Sequence, residues 1–585
     1  MERKSNRFNK RMMKHTLQKL NGKVKSKDFV GFDCETHGDN NEFVMCGFYY
    51  YNKGKETFKY FYNKEEAQEF VLKKKFVGKY VVATNLGFDF TTLFWGTKYW
   101  NDFEIITGQS GILYAEYKKI KGRIRFIDTT NYIFWGVEKL GKIINSPKID
   151  KPSFLGEKPK NELQKAELTL YNKQDCKISC DFMYFLQSGM NKAGGNLKIT
   201  SASSSLDIWR RTFLSEPIIK ETAIYPHVDE FIAMGYYGGR TEVIKRGTIT
   251  NAKYYDINSL YPSVMIEDYP LPSSIKRVKG SIENILKYHG VTDCEVQSPN
   301  LYYPLLPLKK DGKLIFPNGR FSGVWNNVEL RKALELGYKI KPHIQYIYTK
   351  TFKPFEKFVN TFYKLRKEQP ELSLIWKLYL NSLYGKFAEQ EHESIRFINT
   401  DNFTTEEYKQ FLKEDVDCYR NGNMVVEKYW KDRSLIHRIP IFSSHTTSLA
   451  RLKIYDYIVK YKSLYHDTDS IITMEEMEES MELGKMKKEM DITNGILIKP
   501  KMYMVNDNVK MKGIATPNMR DFECMLRGDP IGKIKFTKLK ESIRRGINPN
   551  TKININKLLN LEDDKRLWTS EFDYKVIQSS KPLVV

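Results

Sequence analysis

Apolar residues alternate with small or polar ones through DFVGFDCETHG, a period of two that predicts a strand with Asp33 and Glu35 projecting from one face. The run KYYDINSLYPSVM predicts a strand over Tyr254 to Ile257 that delivers Asp256 at its end, with Pro262 near the first turn of the next segment. In SLYHDTDSIITM two apolar runs flank Asp467 and Asp469, the pattern of a β-hairpin with acids at its tip. KPKMYMV reads as a further strand with Lys501 and Tyr503 on one face. The period becomes helical in LIWKLYLNSLYGKFA, which has no proline and no glycine before Gly385. There Trp376, Leu380, Leu383 and Phe387 form an apolar stripe, and Lys377, Asn381 and Tyr384 fall within an arc of about 60°. An ordinary amphipathic helix accounts for the stripe but not for a lysine, an amide and a tyrosine aligned beside it. An i, i+4 spacing recurs at Asn85 and Asp89 in TNLGFDF, and at Tyr171 and Asp175 in YNKQD, so each pair is expected to point one way from a helix.

Charge then narrows the class. Lys and Arg number 95 against 71 Asp and Glu, a formal charge of +24, as expected of a protein that meets polyanions, with nucleic acid the first candidate. The 585 residues are too many for one core and suggest three or more domains. No apolar run approaches the roughly 20 residues of a membrane span, and the basic N-terminus lacks the apolar core of a secretory signal. The seven cysteines offer no zinc spacing, Cys176 and Cys180 being the one near pair. These features point to reduced thiols in a cytoplasm and to no membrane partner.

Two like charges on one strand face are costly unless a cation sits between them, and hard carboxylate oxygens suit magnesium or manganese. In order and context, the acids of the first third resemble the three motifs of the DEDD proofreading nucleases. Asp33 and Glu35 match the first motif, Asn85, Phe88 and Asp89 the second, and Tyr171 with Asp175 the third. The resemblance implies a ribonuclease-H-like fold, two Mg²⁺ or Mn²⁺ ions held by Asp33, Glu35, Asp89 and Asp175, a water oriented by Tyr171, and DNA contacts at Asn85 and Phe88.

The remaining segments are closely similar to motifs A, B and C of family B DNA polymerases, DxxSLYPS, KxxxNSxYG and YxDTDS. This implies that Asp256, Asp469 and the Ile257 carbonyl, with Asp467 beside them, serve two further metal ions. Lys377 and Asn381 would meet a deoxynucleoside triphosphate, Tyr261 would pack under the sugar and Tyr384 would line the nascent pair. Tyr236, Gly238 and Gly239 stand at the family's YxGG spacing, and Lys501 with Tyr503 resembles its KxY motif, both expected on template-primer DNA. Where relatives carry a further basic residue one turn before the motif B lysine, this chain has Ser373, leaving Arg366 or Lys364 for that charge.

These anchors suggest an α/β and α+β multidomain chain, a ribonuclease-H-like 3′→5′ exonuclease domain followed by a right-hand polymerase. A basic arm is expected over 1–27, the exonuclease over 28–188, palm over 189–275 and 430–505, fingers over 352–395, and a basic thumb over 506–585. Two insertions, at 276–351 and 396–429, resemble the terminal-protein regions of the protein-primed branch found in linear-genome phages and linear plasmids. That likeness implies a terminal protein as primer and strand displacement. A stand-alone nuclease does not explain the second set of acids. A reverse transcriptase fits poorly with DTD in motif C. A DNA-primed family B enzyme and a catalytically silent DNA-binding replication factor remain as alternatives, the latter at odds with a complete set of acids.

Overall fold

The computed structural model describes residues 15–108, 111–390, 393–413, 418–421, 423–430 and 435–585. A mixed seven-stranded sheet occupies the N-terminal unit, in the order Lys55–Phe61, Glu42–Asn52, Phe29–His37, Tyr80–Ala83, Ile124–Asp128, Ile112–Tyr117, Phe103–Thr107. Its three central neighbours, Phe29–His37, Tyr80–Ala83 and Ile124–Asp128, run parallel, while the outer pairs are antiparallel. Val30 and Phe32 turn to one face, where the helix Leu86–Phe94 packs Phe90, Leu93 and Phe94 with Trp100, Phe103 and Phe126. Across the other face lies the 31-residue helix Glu162–Lys192. Its approach depends on two glycines in the sheet. A Cβ on Gly31 would stand 1.9 Å from the Cys176 carbonyl oxygen, and one on Gly47 would stand 2.0 Å from the Asn172 side chain. A larger residue at either position would lift the helix carrying Tyr171 and Asp175 off the strand carrying Asp33 and Glu35.

The rest of the chain is built on two further sheets. One has the order Thr241–Val243, Tyr465–Asp467, Ser470–Thr473, Ala252–Ile257, Met486–Ile492. The helices Leu260–Met265 and Pro440–Lys460 back it through Tyr255, Ile257, Val264, Ile454 and Ile471. The other joins Lys245–Ile249 to Gly495–Lys499 on one side and to Gln578–Pro582 on the other. Helices Glu356–Glu368 and Ser373–Lys386 form a hairpin above them. A four-stranded sheet of Ile275–Lys279, Lys339–Tyr348, His289–Gln297 and Arg320–Asn326 is interposed before that hairpin. A three-stranded sheet of Glu393–Asn399, Met424–Trp430 and Cys418–Asn421 follows it. Phe397, Met424 and Val426 of this small sheet share one core with the N-terminal unit and with Leu539 and Ile543 from the last part of the chain.

Two segments lie at the expected boundaries. Residues 15–27, within the expected basic arm, are fixed to the body: Thr16–Leu17 pairs with Ile218–Ile219, Leu17 is buried, and the Lys25 and Lys27 amides donate to Asn196 and Gln187. The stretch is a strap fixed to the body by apolar and backbone contacts, which its many charges conceal in the sequence; residues 1–14 lie outside the described part. The last helix of the N-terminal unit ends at Lys192, and near that end a Cβ on Gly189 would meet the Ile375 side chain at 2.7 Å.

Candidate active sites

The first group of acids converges where the Phe29–His37 strand meets the start of the Leu86–Phe94 helix and the middle of the Glu162–Lys192 helix. Glu35, Asp89 and Asp175 are buried, and Asp33 is half-buried. The Cys34 amide donates to Asp89 Oδ1 at 2.9 Å, tying the second motif to the first. Asn172 donates to Asp33 Oδ2 at 3.0 Å and to Glu35 Oε1 at 3.4 Å, holding both carboxylates from the facing helix. Burial, and then repulsion from Asp89, Glu35 and Asp175, pushes the Asp33 carboxyl well above the usual carboxylate range. Glu35 is pushed up to about 7, chiefly by burial. Groups so arranged gain from a cation, and Asp175 Oδ1 is a buried oxygen without a hydrogen-bond partner. The donor set thus fits a hard divalent metal, although among the described residues no three such side chains close into a metal cage by themselves.

Tyr171 and Asp175 share a helix face as their spacing implies, and one lysine touches both. The Lys148 ammonium bonds Asp175 and lies 4.7 Å from the centre of the Tyr171 ring. Asp175, together with a contribution from Tyr171, raises the Lys148 pKa against the opposing effect of burial. Asn85 and Asp89 do not share a face in the expected way. The helix begins at Leu86, and Asn85 precedes it in a left-handed conformation, φ 72°. Asp128 accepts from the Asn85 and Leu86 amides at 3.1 and 2.8 Å and so fixes this helix start. Phe88 is half-buried, its ring 6.0 Å from that of Phe536. Asn85 and Phe88 line a cleft of about 900 Å³ between the N-terminal unit and the Lys535–Arg545 segment.

The second group sits at one end of the five-stranded sheet. Asp256 pairs in register with Ser470, next to Asp469, and the Ile257 amide donates to the Asp469 carbonyl at 2.7 Å. Thr468 at the hairpin tip has φ 65°. Burial, repulsion from Asp469 and then from Glu489 push the Asp256 pKa up to about 7, while Lys377 and Lys487 oppose the rise. Asp469 is raised as well, mainly by burial and by Asp467. Thr241 donates to Asp467 Oδ1 at 2.8 Å. Directly behind it, Glu242 is wholly buried. Burial favours its protonation, but Arg240, His466 and Arg566 hold its carboxyl well below the usual range.

On the helix Ser373–Lys386, Trp376, Leu380 and Leu383 are buried while Lys377 and Asn381 are exposed, as the stripe implies. Tyr384 stacks on Tyr261 with ring centres 4.4 Å apart and planes at 21°. Arg366 donates to Ser259 at 3.0 Å and so faces the Asp256 segment, whereas Lys364 is exposed and pairs with Glu368. Of the two candidates for the missing basic residue, Arg366 is the one turned inward.

The five residues expected on DNA in the YxGG and KxY segments take the following places. Gly238 is open, but a Cβ on Gly239 would meet Thr468 at 2.8 Å, so its smallness serves contact with the acidic hairpin. Tyr236 is half-buried in the same segment, whose backbone Arg451 holds through the Tyr237 and Gly238 carbonyls. Lys501 and Tyr503 do not share a strand face: Lys501 occupies a left-handed turn, φ 60°, before the strand Met502–Val505 begins. Its ammonium reaches Asp467 at 3.3 Å, while Tyr503 is buried against Tyr465.

A palm sheet carrying paired acids, a helical fingers hairpin above it and a ribonuclease-H-like unit with its own acids define the fold of a right-hand polymerase joined to an exonuclease-type domain. The chain belongs to the organellar and viral type B DNA polymerases, whose family model matches residues 117–464. It is 28 % identical over 379 residues to a probable DNA polymerase of Neurospora intermedia, covering 59 % of this chain and 37 % of that one. A DNA polymerase of Streptococcus phage Cp-1 is 30 % identical over 225 residues, covering 33 % of this chain and 38 % of that one. The aligned stretches thus span well under half of either relative. Phi29 DNA polymerase, solved in complex with primer-template DNA, shares the fold with a TM-score of 0.68, over 91 % of this chain and 100 % of that one, at 16 % identity.

Proposed function

We propose that this chain is a template-directed DNA polymerase with a 3′→5′ proofreading exonuclease, acting as a monomer on template-primer DNA and deoxynucleoside triphosphates. The observation that carries the reading is the palm end, where Asp256, near the end of its strand, meets Asp469 in the turn of the neighbouring hairpin, close to Lys377 and beside the stacked Tyr261 and Tyr384. Asp256, Asp469 and the Ile257 carbonyl in the palm, and Asp33, Glu35, Asp89 and Asp175 in the N-terminal unit, would each hold two Mg²⁺ or Mn²⁺ ions. When bound, such ions activate the attacking oxygen and neutralise charge on the phosphate. Lys377 neutralises the triphosphate as a point charge, and Arg366 extends that role from the preceding helix. Tyr261 and Tyr384 form a flat floor under the incoming sugar and base. In the N-terminal centre, Lys148 restrains both Tyr171 and Asp175, and Asn172 keeps Asp33 and Glu35 from turning away from each other.

Tyr261→Val opens space beneath the sugar, and ribonucleotide incorporation is expected to rise by about 10- to 200-fold relative to deoxynucleotide, the range a small change in pocket volume commands. Paired kcat/KM values for the two nucleotides check this; an unchanged ratio removes Tyr261 from the role.

The four-stranded sheet and the small sheet ending at Trp430 support protein priming, because both are interposed between polymerase motifs. On this reading a serine, threonine or tyrosine hydroxyl of a terminal protein takes the place of the primer 3′-hydroxyl. The purified chain with metal, labelled nucleotide and the proteins encoded beside it should extend a primed strand and covalently label one partner. Extension without any labelled partner refutes the priming and keeps the polymerase; absence of both refutes the whole reading.

A further inference from the structure

Asn550 belongs to the C-terminal part of the chain, yet its side chain is 6 % exposed because it is inserted into the N-terminal unit. It lies in the connection between the strands Ile531–Phe536 and Lys552–Lys557 and adopts a left-handed conformation, φ 64°, which asparagine tolerates better than most residues. Its amide nitrogen donates to the Phe88 carbonyl at 2.9 Å, to Thr91 Oγ1 at 3.0 Å and to Thr92 Oγ1 at 3.1 Å. All three acceptors flank Asp89 on the helix Leu86–Phe94. Its backbone carbonyl accepts from the Asn41 side chain, whose own oxygen accepts from Thr36 Oγ1 at 2.9 Å. Thr36 directly follows Glu35. One residue therefore bridges the segment that carries Asp33 and Glu35 to the segment that carries Asp89.

We propose that Asn550 is a positioning residue of the exonuclease centre, and that this centre is fully ordered only while the 531–557 hairpin is docked. The Phe88 carbonyl can only accept, so it needs a donor at this position. Without the amide, the Phe88 carbonyl next to Asp89 keeps only the longer side-chain bond from Thr91 Oγ1, at 3.3 Å, and the first turn of the helix is free to shift. The neighbouring contacts of the hairpin, Trp95 Nε1 to Asn548 Oδ1 at 3.2 Å and the Lys552 amide to the Asp39 carbonyl at 2.8 Å, hold the same seam without touching Asp89 or Glu35. Docking and centring are thereby separable. The inference rests on the exonuclease reading of Asp33, Glu35, Asp89 and Asp175.

The full chain carrying Asn550→Asp, which keeps the shape and the backbone preference but not the donor, is compared with Asn550→Gly, which keeps the backbone alone. Both are expected to lower kcat for degradation of single-stranded DNA by about 10- to 100-fold, the usual effect of losing a group that orients a metal ligand. KM for the DNA should stay within about twofold, and the Mn²⁺ concentration giving half-maximal degradation should rise. Primer extension is expected to be unchanged. Asn548→Ala, which removes the Trp95 contact on the same seam, should leave degradation at the wild-type rate. Degradation within twofold of wild type in both Asn550 variants overturns the proposal, as does an equal loss in Asn548→Ala, which makes docking alone responsible. If the Asp33→Ala, Glu35→Ala double variant degrades DNA normally, the exonuclease reading itself fails, whatever Asn550 does.

Discussion

Asp256→Ala or Asp469→Ala is expected to abolish nucleotide addition while single-stranded DNA is still degraded at the wild-type rate. Each substitution removes an oxygen donor from a pair of acids that burial pushes above the usual carboxylate range, Asp256 also by repulsion from Asp469 and Asp469 also by repulsion from Asp467. Loss of a group that merely orients a ligand costs about 10- to 100-fold, so loss of a ligand should exceed about 100-fold. The fold is expected to survive, because the sheet around Asp256 is held by Tyr255, Ile257 and Ile471 rather than by the acids. Steady-state extension and degradation measured on the same preparations check this. Equal loss of both activities would show that the two centres are not independent.

The reciprocal change, Asp33→Ala with Glu35→Ala, should eliminate 3′-end degradation and spare most synthesis. Here the stability outcome is informative too. Both carboxyls are pushed up by burial, and Asp33 in addition by repulsion from its neighbours, so in metal-free buffer these groups oppose folding. The double variant should melt at the wild-type temperature or above it, the trade-off expected where function holds like charges together. A lower melting temperature would mean that the Asn172 amide nitrogen, left with the Asp33 carbonyl in place of two carboxylates and that carbonyl, costs more than the removed repulsion gains.

The acids were legible in the sequence because the chemistry requires them at strand ends and on helix faces with fixed periods. Asp33 with Glu35, and Asp256, obey those periods, as does the stripe on Ser373–Lys386, while Asp467 and Asp469 stand at the hairpin tip that the two flanking apolar runs imply. What escaped depends on tertiary approach. Asn172, Lys148 and Asp128 act on residues far along the chain, and no local pattern sets them apart from ordinary polar residues. Gly31 and Gly47 look like unremarkable strand glycines until the helix Glu162–Lys192 is laid across them. Lys501 misled for a local reason: a turn interrupts the apparent alternation one residue before the strand starts. The strap at 15–27 was hidden by its own charge, since a single buried leucine and a few backbone hydrogen bonds leave little trace in composition.

The pairing of Lys245–Ile249 with Gln578–Pro582 bears on the order in which the molecule matures. The strands of the N-terminal sheet and the helix that covers it all lie between Phe29 and Lys192, so that unit can close while later segments are still being synthesised. The second sheet cannot be completed until residue 582 has left the ribosome, and long-range pairings of this kind form slowly. A nascent chain is therefore expected to become protease-resistant in two steps, the nuclease unit well before the palm, which limited proteolysis of arrested chains would detect. Asn550 joins the N-terminal unit only in the second step, so a half-made chain would hold Asp33, Glu35, Asp89 and Asp175 without the side-chain contact that Asn550 makes beside Asp89.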